Sequence, residues 1–263
     1  MSLELSLAAV DVLWTDLRLG HIPFPLQVRN HGDTLDDRAR IRAAVYADLG
    51  RRGLARAERP ADTLVEDLRL LADPTTIVDL VALLDMDDAE PLTALAATRG
   101  RHGILVVQGK LTLRLTRMRD ILTTGALVDL LPATRAAVGN SITSPAAALR
   151  ADAGRQRRAE PGSVLRKVRS TAPADTRLRA IAAVMEKPVR RAGQLGVTRI
   201  DDAGRRHRLP GMPWFDTDDG RYATTLTSGS DGEEWVTLWP ADNARLTHRL
   251  SELAATEIVS GRG

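Results

Sequence analysis

The chain has 263 residues, 43% apolar and 27% charged, a balance that excludes a disordered or fibrous protein and allows a sizeable core. Aromatics are only 3%, so that core is built from Leu, Val, Ile and Ala, with Trp14, Trp214, Trp235 and Trp239 as exceptions. A net charge of +3 does not demand nucleic acid, and the lack of cysteine excludes disulfides and thiolate chemistry, which fits a reducing, cytoplasmic setting.

At the N-terminus, Glu4, Asp11 and Asp16 break the apolar run that a signal peptide needs. Asp79, Asp85 and Arg114 break the longest apolar runs further on, so no membrane span is expected. Ile41, Val45 and Leu49 stand four residues apart between Thr34 and Gly50, which predicts an amphipathic helix there. Thr63 and Glu66 have the spacing of a capping box and open a second helix that buries Leu64, Leu68 and Leu71 until Asp73-Pro74 ends it.

After Pro74 the pattern changes to strands. The β-branched stretch 76–81 and the alternation of Leu111, Leu113 and Leu115 with Lys110, Thr112 and Arg114 both predict strands. Between them, two apolar stretches flank Arg99-Gly100-Arg101-His102-Gly103, which predicts a hairpin with a basic tip and hence an antiparallel sheet. Leu127, Leu130 and Leu131 begin a helical face that Pro132 interrupts.

The second half echoes the first. Residues 108–116 align without gaps to 219–227, pairing Gly109 with Gly220 and Leu115 with Leu226, and a helix near 242–258 matches the one near 127–131. The expected organisation is a first half at 1–150, a basic linker at 151–175 and a second half at 176–263, joined in one α/β (α+β) domain. Across 150–179, nine basic residues meet three acidic ones, with Gly and Pro interspersed, which reads as a solvated linker. A nucleic-acid-binding module is the alternative, but no aromatic lies in the segment for bases to stack on.

Catalytic signatures are missing. No Walker or dinucleotide glycine loop and no Gly-x-Ser-x-Gly elbow occur, which leaves an unrecognised hydrolase as the only enzymatic alternative. The five histidines are scattered singly, and Asp85, Asp87 and Asp88 read as a turn, so no metal or other cofactor is expected. Asp219-Gly220 reads as a hairpin turn. Trp235 and Trp239 would share one face of a strand with Thr237, either as core or as anchors for a partner.

A series of short motifs runs in order along the chain: Trp14, Leu19-Gly20, Pro23-Phe24-Pro25-Leu26, His31-Gly32, Gly53-Leu54, Leu130-Leu131-Pro132 and Gly139-Asn140-Ser141. Distally it continues with Gly193-Gln194-Leu195-Gly196-Val197, Asp216-Thr217, Gly220-Arg221-Tyr222, Trp235 and Pro240. Together these motifs resemble the EspG family of secretion chaperones. The resemblance implies a quasi-two-fold repeat with a central antiparallel sheet flanked by two helical bundles. It also implies a non-catalytic cytosolic chaperone of type VII (ESX) secretion that shields the apolar helical tip of PE–PPE-like heterodimers. Mapped onto this chain, it implies a contact surface with Arg99, Arg101 and His102 on a loop and Leu226, Trp235, Val236 and Leu238 on an apolar face. A monomer or weak homodimer is expected.

Overall fold

The computed structural model describes residues 2–151, 173–229 and 231–256. Most of the expected linker, residues 152–172, therefore lies outside the described residues. The chain opens with strand β1 (Ser2–Ser6) and helix α1 (Leu7–Asp16), followed by α2 (Leu35–Arg51), a small β2–β3 hairpin (Ala55–Arg56, Arg59–Pro60) and α3 (Asp62–Ala72). Strands β4 (Thr76–Leu83), β5 (Leu92–Arg99), β6 (His102–Gln108) and β7 (Thr112–Arg119) follow, then α4 (Thr123–Val128). The remainder is β8 (Ile142–Pro145), a helix at 146–151, α5 (Pro173–Met185), β9 (Arg191–Ile200), β10 (Arg206–Arg208), β11 (Met212–Thr217), β12 (Gly220–Ser228), β13 (Glu234–Ala241) and α6 (Asn243–Ala255).

Eleven strands form one antiparallel sheet in the order β1-β7-β6-β5-β4-β9-β11-β12-β13-β8, with β10 paired to β9. At its centre β4 pairs with β9 from Thr76 opposite Arg199 to Leu83 opposite Ala192. From this seam β4 to β7 run outward on one side, and β9, β11, β12 and β13 on the other, with β1 and β8 closing the edges. The chain crosses to the far half between α4 and β8, upstream of residue 150. The likeness of 108–116 to 219–227 compares β6–β7 with β11–β12, which sit one strand out of step counted from the seam. A turn glycine followed by alternating apolar residues suits any hairpin, and it does not mark equivalent ones.

Alternation of side chains gives the sheet two working faces. One carries Leu80, Leu195, Trp214 and Ala223, covered by Leu127 and Val128 of α4 and by Leu246 and Leu250 of α6. On the opposite face, Leu95, Ile104, Val106, Leu113 and Leu115 pack against Leu13 of α1, Leu49 of α2 and Leu64, Leu68 and Leu71 of α3. Each such buried leucine contributes about 1.5–3 kcal/mol through burial. By register the same face continues into Phe215, Tyr222 and Leu238, which pack with Ile181 of α5.

Two local expectations change. Helix α3 starts one residue earlier than the sequence pattern suggests, because Val65 N–H already donates to Ala61 O at 3.0 Å. Thr63 therefore lies within the first turn, and no side chain caps the helix. Leu111 is 76% exposed because β7 begins at Thr112 and Leu111 belongs to the β6–β7 turn. In contrast, Thr34 caps α2 as its position suggests, its Oγ1 accepting from Asp37 N–H at 3.1 Å.

Candidate functional site

Hairpin β5–β6 closes tightly, because Thr98 pairs with Gly103 and Arg99 with His102, leaving Gly100 and Arg101 as a two-residue tip. Gly100 has φ of 57° there. Arg101 and His102 are exposed, and Arg99 forms an ion pair with Asp73 at the end of α3. The three loop residues expected at a contact surface thus come together in space.

Beneath the hairpin, α3 and the end of β7 enclose a groove of about 700 Å³. Leu19, Leu70, Ala72 and Met118 give it apolar walls. Its three carboxylates are held by two arginines: Arg117 pairs with Asp67 and Glu66, and Arg99 with Asp73. Burial raises the Asp67 pKa above the ordinary carboxylate range, an effect that Arg117 opposes.

A second groove, of about 450 Å³, lies on the same sheet face over the central seam, between the α1–α3 layer and α5. Val81, Leu83, Ala192 and Pro213 form its floor, and the 64% exposed Phe24 stands at its side. Arg208 crosses it, its Nη2 donating to Asp79 Oδ1 at 2.9 Å, with the guanidinium 5.6 Å from the Phe24 ring centroid. Asp79 is 2% exposed, so this pairing satisfies a carboxylate on the buried side of a strand. The sequence showed Asp79 only as an interruption of an apolar run, and nothing in it singled out Arg208.

The four residues expected to share an apolar face are divided by the structure. Leu226 pairs with Val236 on the face of Phe215 and Tyr222, whereas Trp235 pairs with Thr227 on the opposite face. Leu238 is 3% exposed and packs with Phe215 and Tyr222, so it is core and not contact surface. The cause is strand alternation, which sends neighbouring residues of β13 to opposite sides. Leu226 and Trp235 nevertheless lie at the same end of the sheet as the β5–β6 hairpin. Four strand spacings, about 19 Å, separate β5 from β12.

Several motif residues act as braces. Trp14 Nε1 donates to Gly20 O at 3.0 Å. Buried Asp11 accepts from His31 N–H at 2.8 Å and pairs with Arg38, which fastens the 20–34 segment to α1 and α2. Gly220 has φ of 122°, and a Cβ there would lie 2.7 Å from Arg135 O, because the segment crossing between the sheet halves runs against β12. Arg221 secures the same segment, bonding Pro132 O, Thr134 Oγ1 and Asp216. The β11–β12 turn itself consists of Asp218 and Asp219, one position earlier than expected, with Gly220 paired to Thr217.

Among the described residues, no three His, Cys, Asp or Glu side chains gather as a metal site, and no helix is long and apolar enough to cross a membrane. The broad antiparallel sheet with helical layers on both faces is a fold shared with a solved type VII secretion chaperone. That structure is the Mycobacterium tuberculosis chaperone EspG5 in complex with the PE25–PPE41 dimer, which aligns with a TM-score of 0.72 at 14% identity over 98% of each chain. The EspG family profile matches residues 6–252, and the chain belongs to the EspG family. No curated protein matches it by sequence.

Proposed function

We propose that this chain is a cytoplasmic, non-catalytic chaperone of type VII secretion that binds a PE–PPE-like helical heterodimer and covers its apolar tip. The observation that carries the reading is the end-to-end likeness to EspG5, a protein solved in complex with a PE25–PPE41 dimer. Family membership over residues 6–252 supports it independently of the coordinates.

Physically, covering a helical tip requires a complementary apolar surface bounded by polar groups that fix its orientation. The groove over the central seam supplies apolar side chains, and the β5–β6 hairpin supplies exposed guanidinium and imidazole groups. The outward strand order on both sides of the seam supports reading the molecule as two related halves of one domain. The working unit is a monomer or a weak homodimer.

Arg101 is the most direct probe, because its side chain is exposed at the hairpin tip. Replacing it with Glu should reduce capture of the co-expressed dimer about tenfold while the melting temperature stays unchanged. Full capture by Arg101→Glu would remove the hairpin from the contact surface.

A further inference from the structure

The groove beneath the β5–β6 hairpin has an uneven charge balance. Four arginines and three carboxylates line it, and Arg117 and Arg99 hold all three carboxylates. Arg18 and Arg69, both exposed, remain. Among the described residues, neither guanidinium has an ion-pair or hydrogen-bond partner. Arg18 adopts φ of 54° directly after α1, a backbone conformation uncommon for a residue with a side chain. Arg69 stands in the last turn of α3. Arg101 adds a further exposed cation at the hairpin tip.

Between these cations the walls are apolar, from Leu19, Leu70, Ala72 and Met118. A groove of about 700 Å³ is large enough to take one or two bulky side chains. We infer that it is a docking site for an acidic peptide segment of a protein partner, with an apolar side chain in the groove and flanking carboxylates on Arg18 and Arg69. Guanidinium forks match carboxylates in a planar, two-point geometry, so the site selects carboxylate-bearing segments over neutral ones of the same shape. Partner arginines or lysines are disfavoured by the same unpaired charges. The inference rests on the chaperone reading only in taking the partner to be a secreted helical protein.

The test uses the full chain and a fluorescein-labelled ten-residue peptide of alternating leucine and glutamate, beside the same peptide with each glutamate replaced by glutamine. Fluorescence anisotropy should show the acidic peptide binding at least about tenfold more tightly, with the difference shrinking as salt is added. The double variant Arg18→Ser/Arg69→Ser should lose about tenfold in affinity, and Arg18→Lys/Arg69→Lys should recover part of it. Amide shifts on titration should concentrate at Leu70, Gly103 and Met118. Equal binding of the two peptides, an unaffected double-serine variant, or shifts confined to another face would each overturn the site. Failure to capture a PE–PPE-like dimer, with the peptide pattern intact, would sink the chaperone reading alone.

Discussion

The guanidinium of Arg221 is wholly buried against Asp216, Nε donating to Oδ1 at 2.7 Å and Nη2 to Oδ2 at 3.0 Å. Its Cζ lies 4.6 Å from the Trp214 ring centroid, and Nη2 also reaches Pro132 O at 3.1 Å. One side chain therefore ties β11, β12 and the segment that crosses between the sheet halves.

Removing one partner of a buried pair leaves the other charge poorly compensated, at a cost of about 3–5 kcal/mol. Arg221→Met should lose that much in urea denaturation, because among the described residues the half-exposed Arg191, 3.6 Å from Asp216, is the one cation left there. Adding Asp216→Leu to Arg221→Met should recover part of the loss. Additive losses would mean that the two residues are not coupled.

The two threonines that resemble caps should behave differently. Thr34→Ala removes the acceptor for Asp37 N–H and should destabilise by about 1 kcal/mol. Thr63→Ala removes no cap and should change stability by less than about 0.5 kcal/mol. Thermal melts of the two variants compare them directly.

Asp201 supplies a pH-dependent element in the β9–β10 turn. His207, the backbone N–H of Arg205 and the Arg205 side chain hold its carboxyl well below the ordinary carboxylate range. Because the folded pKa is lowered, the turn's contribution is complete above the ordinary Asp pKa of about 3.9 and is lost as pH falls through the lower folded value. The Ala203 and Arg205 amides, which donate to Asp201 Oδ1 at 3.0 and 2.8 Å, should hold their shifts below pH 3.9 and lose this low-pH inflection in Asp201→Asn. A midpoint near 3.9 would contradict this reading.

Tyr46 provides a spectroscopic marker for the α1–α2 packing. Burial first, then the Asp16 carboxylate that accepts its hydroxyl proton at 2.8 Å, pushes its pKa up to about 12. Absorbance titration should show one tyrosine ionising near that value, and Asp16→Asn should lower it. An unchanged midpoint would remove the carboxylate from the explanation.

Much of this could be read from local patterns. Leu64, Leu68 and Leu71 fix the buried face of α3, and Arg99 to Gly103 mark the hairpin, because helical and strand periodicities depend only on neighbours in sequence. What long-range pairing decides was less legible. The family resemblance grouped Trp235 with Leu238 on one apolar face, whereas strand alternation along β13 puts them on opposite faces. It gave no hint that Arg18, Arg69 and Arg99 meet around one groove, since residues 18, 69 and 99 come together only through the packing of α1, α3 and β5. Likewise Asp79 stood out only as a break in an apolar run, because the Arg208 that pairs with it lies 129 positions away.

Co-expression of the chain with a PE–PPE-like pair, followed by size-exclusion chromatography with light scattering, tests the chaperone assignment most directly. One copy of each of the three chains should elute as a single peak, and dimer expressed alone should aggregate or precipitate. Separate elution of the chaperone and a dimer that stays soluble without it would contradict the assignment.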